Sequence, residues 1–269
     1  MTAETGFAPY LREIERRRPA GVGPENLVVL ERVESTNRLA RTIVDEYENE
    51  AQHLHPLLIL AFGQSGGRGR HGRSWQSPAG LGVYASRVLT VDDPEVLQTL
   101  PLLVGAGLCR ALGRLGAACR LKWPNDLLVE GVERGERRKI GGILIEASIQ
   151  PGEGGSAVIG FGVNQGQGAE DLPATGTSLR LEGVDISLAE LTWELVTAVE
   201  GELAHLGDTA YAVAVYRELS VHQPGERISC RVGNEVIEGT FNGFDEHGRL
   251  RLERDGQEVL IAAGEVLEP

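Results

Sequence analysis

Thirteen residues, Gly63 to Trp75, constrain this chain more than any others: they hold five glycines and three arginines, Arg68, Arg70 and Arg73. Such a stretch builds neither a helix nor a strand. Glycine admits φ > 0 and lets another group approach the backbone closely. Arginine offers a planar fork of N–H donors suited to phosphate and carboxylate oxygens. The run before it, Leu57-Leu58-Ile59-Leu60-Ala61-Phe62, is continuously apolar, the pattern of a buried strand. Gly82–Val88 follows as a second strand. The loop therefore leaves a rigid sheet, and it ends on Trp75, a flat ring able to cover another. Two readings stand at this point: a receiver for an anion, or a solvated basic loop.

The net charge of −13 makes such a concentration of arginine selective. An acidic chain is a poor general binder of nucleic acid or of a membrane surface. Met1–Tyr10 lacks the charged start and apolar run of a signal peptide. No apolar run approaches the ~18 residues of a membrane span, so a cytoplasmic protein is expected. Cys109, Cys119 and Cys230 are odd in number, far apart and without metal spacing, and read as buried reduced thiols. His53 and His55 read as surface histidines, with a metal role as the alternative. A length of 269 residues, 41% of them hydrophobic, fits one domain with a small one beside it.

In chain order, Pro9–Arg18 is predicted as a short helix and Leu27–Arg32 as a strand. Ser35-Thr36-Asn37 then precedes a helix over Arg38–Tyr47. These three are either a plain helix cap or a donor and acceptor set for a small molecule. Pro101–Leu115 carries a broad apolar helix face. Cys119–Trp123 alternates as a strand, with Arg120 and Lys122 facing away from Cys119, Leu121 and Trp123. Pro124-Asn125-Asp126 turns the chain, and Gly131–Arg138 is a charged excursion read as a hairpin tip. Lys139–Ala147 and Ala157–Asn164 are strands with glycines at Gly141, Gly142, Gly160 and Gly162, where something packs flat against the backbone. Helices are expected over Ser187–Leu206 and Thr209–Leu219. After His222-Gln223-Pro224-Gly225 the texture changes to four short strands, about 226–232, 235–244, 248–254 and 257–262. Gly233-Asn234, His247-Gly248 and Asp255-Gly256 mark the turns between them. Residues 1–221 and 222–269 are thus expected to be a larger α+β domain and a small β domain.

Lys122, taken singly, is a snorkelling edge lysine. Opposite an arginine-rich loop and over a glycine-smoothed sheet, it completes an anion site for phosphate, carboxylate or both. An enzyme that joins these two anions makes an acyl-adenylate.

Together these residues resemble the biotin protein ligase family. The resemblance runs from about Leu27 to the C-terminus. It is carried by Ser35-Thr36-Asn37, Gln64, Gly67-Arg68-Gly69-Arg70-x-Gly72-Arg73, Lys122-Trp123-Pro124-Asn125-Asp126, Lys139-x-Gly141-Gly142-Ile143-Leu144 and Gly160-x-Gly162-Val163-Asn164. It implies an α+β fold: a seven-stranded mixed sheet with helices packed on one face, then a small SH3-like β-barrel. It implies biotin, ATP and Mg2+ as reactants, and the biotin carboxyl carrier protein of a carboxylase as partner. By position, Ser35, Thr36, Asn37 and Gln64 would bind the biotin ureido ring. Arg68, Gly69 and Arg70 would lie on a loop closing over the adenylate, with Lys122, Arg68 and Arg70 as the catalytic cations. Gly141, Gly142, Gly160 and Gly162 would form a flat wall under biotin. Arg73, Trp75, Asn125 and Asn164 would meet the nucleotide, with Trp75 stacked on adenine.

Several features depart from the family or leave its pattern open. Fewer than thirty residues precede the first sheet strand, whereas longer members place a DNA-binding helix-turn-helix there, so no DNA partner is expected. The strand ending at Asn164 continues as Gln165-Gly166. No carboxylate pair with magnesium geometry appears; Asp126 alone is a candidate ligand, and an ion held by phosphates and water fits equally. The metal ligands stay unknown, and a homodimer is compatible with the sequence. A lipoate–protein ligase or a non-catalytic biotin sensor are the alternative functions. Without ligand, the three loop arginines are expected to lack an organising anion and the loop to move.

Overall fold

The computed structural model describes residues 6–50, 52–131, 136–150 and 154–267. Seven strands form the main sheet: β1 (Asn26–Val33), β2 (Leu57–Gln64), β3 (Gly82–Val91), β4 (Cys119–Lys122), β5 (Asp126–Glu130), β6 (Arg137–Gln150) and β7 (Gly154–Asn164). Their order is β1-β2-β3-β7-β6-β5-β4. The β1–β2 pair is parallel, and the others are antiparallel. The helix between the two parallel strands is the crossover that parallel pairing requires.

The apolar run of β2 is buried on both faces, and each face has its own cover. Leu58 and Leu60 enter the main core, together with α1 (Phe7–Arg17), α3 (Leu100–Arg114), α4 (Leu188–Leu203) and α5 (Thr209–Leu219). Ile59 and Leu57 pack instead with Ala40 and Val44 of α2 (Thr36–Asn49). The expectation of helices on one face thus holds for four of the five, and α2 is the exception. A strand apolar at every position needs a second cover, and the crossover helix supplies it. Eleven of the fifteen residues of α3 are buried, since it lies between the sheet and α4. The predicted helix at 187–206 is shorter, because Ser187 is its cap, accepting from Glu190 N, and the helix ends at Leu203. Of the charged excursion read at 131–138, residues 132–135 lie outside the described ones; Arg137 and Arg138 already belong to β6.

The C-terminal module is a five-stranded antiparallel sheet: β8 (Arg227–Val232), β9 (Glu235–Phe244), β10 (Leu250–Arg254), β11 (Gln257–Ile261) and β12 (Glu265–Leu267), in the order β11-β10-β9-β8-β12. The third predicted strand starts two residues late. Gly248, at φ 76°, belongs to a turn whose Asp245 carboxylate accepts from the backbone N–H of His247 and Arg249. The three-residue β12 was not anticipated.

This module does not stand alone. Ile228, Phe241, Phe244, Leu250 and Val266 are buried in the same cluster as the main core. Phe244 meets Tyr216 of α5 edge-on, with centroids 5.3 Å apart. Trp123 Nε1 donates to Gly248 O at 3.1 Å, and Trp123 N donates to His222 Nε2 at 3.3 Å. A sheet too small to bury a sufficient core by itself borrows one.

Candidate functional site

A cleft of about 390 Å³ opens where α2, the β2–β3 loop, the β4–β5 turn and the ends of β6 and β7 converge. Sixteen of the seventeen residues given a site role from the sequence line it: Ser35, Thr36, Asn37, Gln64, Arg68, Gly69, Arg70, Arg73, Trp75, Lys122, Asn125, Asp126, Gly142, Gly160, Gly162 and Asn164; Gly141 does not.

Its inner end is built on the N-terminus of α2. Ser35 caps the helix, its Oγ accepting from Arg38 N at 3.4 Å. Thr36 N donates to Gln64 Oε1 at 2.8 Å, and Gln64 Nε2 donates to Ser77 Oγ at 2.9 Å. Asn37 Nδ2 donates to Leu144 O at 3.1 Å and to Glu146 Oε2 at 3.0 Å. Ser35, Thr36 and Asn37 are buried. Ser35 is therefore the cap, and the three together form a preformed polar pocket. Buried polar groups are tolerated here because protein partners already satisfy them.

Glycines let the two ends of the cleft close on the sheet. A Cβ at Gly160 would lie 2.0 Å from Asn37 Oδ1, and one at Gly162 would lie 2.6 Å from Trp75 Nε1. Gly142 also faces the cleft. Gly141 does not belong to this wall. Its missing side chain points to Gly162 O and Leu127 Cδ1, both 2.8 Å from a Cβ, because successive strand residues face opposite sides.

The glycine–arginine loop is folded over the outer end as a small hairpin. Gly69 N donates to Arg73 O and Trp75 N to Gly67 O, both at 2.8 Å. Each arginine has a partner. Arg68 pairs with Glu146 at 3.2 Å, and Arg73 with Glu265 at 2.6 Å. Arg70 Nη1 donates to Asn125 Oδ1 at 3.3 Å and to Gly264 O at 3.1 Å. The expectation that these arginines lack an organising anion is thus corrected: carboxylates from β6 and from the C-terminal module stand beside the loop. Burial lowers the Arg70 pKa, against the pull of Asp126 and Glu265. At Glu265 burial acts to raise the pKa, but the Arg73 hydrogen bond, with the charges of Arg73, Arg231 and Lys122, brings it below the usual carboxylate range.

Two lysines line the cleft. Lys122 ends β4; its charge, after burial, helps push the His222 pKa down to about 4. Lys139, in β6, sits 2.6 Å from Asp126 Oδ1 and 5.7 Å from the centroid of Trp75. Asn125 Nδ2 donates to Ile143 O at 2.8 Å, which pins the β4–β5 turn to β6. The Trp123–Pro124 peptide in that turn is cis. Asn164 is bonded within the protein, donating to Thr177 O and accepting from Gln167 Nε2, each at 3.0 Å. It holds the segment behind the cleft in place.

Sequence reasoning gave no role to Lys139, Glu146 or Glu265. Lys139 stood in a motif that already signalled it. Glu146 and Glu265 carried no local signal, because the loop arginines they pair with lie 78 and 192 positions away. Among the described residues no cluster of three or more His, Cys, Asp or Glu is placed to hold a metal ion, and Asp126 is taken up by Lys139. No described helix is long and apolar enough to cross a membrane. His53 and His55 lie edge to face, centroids 5.1 Å apart, away from the cleft.

Known proteins resemble this chain in sequence and in fold. Residues 29–164 match the Biotin/lipoate A/B protein ligase family, and residues 225–267 match the Biotin protein ligase C terminal domain. The biotin–[acetyl-CoA-carboxylase] ligase of Paracoccus denitrificans is 34% identical over 85% of this chain and 98% of its own. The ligase of the same name from Mycobacterium tuberculosis is 30% identical over 92% of this chain and 91% of its own. In fold, the biotin protein ligase of Aquifex aeolicus, solved with biotin and ATP, superposes with a TM-score of 0.69 at 24% identity, covering 90% of this chain and 98% of that one. These matches show that the chain belongs to the biotin/lipoate A/B protein ligase family.

Proposed function

We infer from the cleft how this biotin–protein ligase works. A biotin carboxylate oxygen attacks the α-phosphorus of ATP, and the bond to pyrophosphate breaks, leaving biotinyl-5′-AMP. A carrier lysine amine then attacks the acyl carbon and expels AMP. The observation that carries this reading is the division of one cleft into a neutral hydrogen-bonding pocket, around Thr36 and Gln64, and a cationic end. That end holds Lys122, Lys139, Arg68, Arg70 and Arg73. Fixed cations are what a reaction between two anions needs, because they offset the negative charge that builds up at phosphorus.

In this reading Ser35, Thr36, Asn37 and Gln64 hold the ureido ring over Gly142, Gly160 and Gly162. Lys122 and Lys139 bracket the meeting carboxylate and phosphate, and Arg68 and Arg70 close over the product. Arg73, Trp75 and Asn125 face the nucleotide; Asn164 positions the wall beside it. Mg2+ entering with ATP would be held mainly by phosphate and water oxygens and would offset phosphate charge, since the cleft offers it few carboxylates. Residues 1–221 carry the chemistry, and 222–269 form the barrel that flanks the nucleotide and the carrier. The carrier is the biotin carboxyl carrier protein of a carboxylase, and the enzyme is cytoplasmic.

Mass spectrometry of a purified carrier domain, incubated with ATP and either biotin or lipoate, tests the assignment. A gain of one biotinyl group is expected. A gain with lipoate alone would overturn the biotin reading, and no gain with either would leave a binding protein.

A further inference from the structure

Behind the inner pocket, on β3, Ser86 is fully buried and does not itself line the cleft. Its Oγ lies 2.6 Å from Asn37 Oδ1 and 2.8 Å from Thr36 Oγ1. Thr36 Oγ1 lies in turn 3.2 Å from Gln64 Oε1. These three oxygen–oxygen contacts have only two hydroxyl hydrogens among them, one on Ser86 and one on Thr36.

Their placement follows from the neighbours. The Asn37 amide cannot be reversed, because its nitrogen faces two acceptors, Leu144 O and Glu146 Oε2. Its oxygen therefore faces Ser86 and has no hydrogen to give, so the Ser86 hydrogen goes to Asn37. Ser86 then presents a lone pair to Thr36, and the Thr36 hydrogen turns inward to Ser86. Gln64 Oε1 is served by Thr36 N, at 2.8 Å. The remaining lone pairs of Thr36 Oγ1 and Gln64 Oε1 belong to residues that line the cleft, and both are acceptors.

We propose that Ser86 is a positioning residue that sets specificity: by donating to Asn37 and accepting from Thr36 it holds the Thr36 hydroxyl as an acceptor, so that the pocket selects a ring that brings N–H donors, a cyclic urea. This rests on the reading of the cleft as a biotin pocket. Without Ser86 the Thr36 hydroxyl loses its nearest acceptor and keeps only Gln64 Oε1, 3.2 Å away and already served by Thr36 N, so its hydrogen can turn toward a ligand acceptor. A ring oxygen in place of an N–H then meets a donor instead of a lone pair.

The test compares biotin with its two cyclic-carbamate analogues, each with one ureido N–H replaced by oxygen. Binding is measured calorimetrically for the wild type and for Ser86→Ala, and the KM for ATP is measured alongside. The wild type is expected to prefer biotin over at least one carbamate by about 100-fold, the usual penalty for a buried acceptor left facing another acceptor. In Ser86→Ala that preference should fall below about 10-fold, with the KM for ATP within about twofold of wild type. A folded Ser86→Ala variant with the wild-type preference would overturn the proposal while leaving the biotin reading intact. Wild type that binds no biotin would overturn both. If circular dichroism shows Ser86→Ala unfolded, Thr36→Val, which deletes the acceptor and keeps the shape, should lose the preference instead; an unchanged preference there also overturns the proposal.

Discussion

The two ends of the cleft are held together by different physics. At the inner end, neutral groups are buried and bonded to one another before any ligand arrives: Thr36 to Gln64, Asn37 to Leu144 O, Gln64 to Ser77. At the outer end, charged groups are partly exposed and paired with carboxylates that a ligand can replace. The side chains of Arg68 and Arg73 are 48% and 57% exposed, against 4% for the whole of Asn37. Buried neutral networks are costly to disturb and fix one geometry. Exposed ion pairs contribute little and exchange readily. The difference teaches that recognition is built into the fold, whereas the reactive end is assembled from contacts weak enough to trade for phosphate.

The largest effect should come from removing a cation. Lys122→Ala or Lys139→Ala should slow pyrophosphate release by about 100- to 1,000-fold while changing biotin affinity far less, because each cation meets charge that develops only in the transition state. Pyrophosphate release at the wild-type rate from both variants would erase the distinction between the two ends.

Gly160→Ala tests the inner end. Its methyl would occupy the space of Asn37 Oδ1, 2.0 Å away. The variant should lose about 1–3 kcal/mol of stability and bind biotin more weakly. Full stability in a urea titration would mean that the inner pocket is more pliable than described.

A pH titration reaches the contact between the cleft and the C-terminal module. His222 is neutral in the folded protein, its pKa pushed down to about 4 by burial, then by Lys122 and Arg137. The unfolded chain takes up this proton near pH 6.5 and the folded one does not, so stability is complete above pH 6.5 and falls as the pH drops toward 4. At pH 5 the loss is about 2 kcal/mol. His222→Asn should flatten that part of the profile, and an identical pH dependence in the variant would assign it to other groups.

The smallest effect belongs to the outer ion pairs. Glu265→Ala should raise tryptic cleavage at Arg68, Arg70 and Arg73 only a few-fold, as expected of a half-exposed pair. Biotin with ATP should protect these bonds in both proteins, and ATP alone less. Equal cleavage with and without both ligands would show that the loop does not close on them.

The cleft was legible in the sequence to the extent that its chemistry is local. Glycines beside arginines, a lysine before Trp-Pro-Asn-Asp and paired glycines in strands each announce themselves within a few residues. What was hidden is what depends on folding across distance. Ser86 reads as an ordinary strand residue, and its role appears only when α2 is laid against β3. Glu265 reads as one more surface acid until β12 carries it to Arg73. The second cover on β2 was implied by a run apolar on both faces, but which helix would supply it was not. The short β12 has no alternation to reveal it and exists because β8 offers it an edge.

The hold of the C-terminal module on Arg70 runs through a carbonyl, Gly264 O. A side-chain partner can be lost by a single base change; a main-chain oxygen belongs to every amino acid. The position is also closed to larger residues, since a Cβ there would lie 2.8 Å from Arg231 O and from Cys230 Sγ. Mutational drift at 264 is therefore restricted by packing while the tether itself is written in the backbone. Among related sequences this link between the two parts of the chain should outlast the ion pairs around it, and it would escape a comparison that aligns side chains alone.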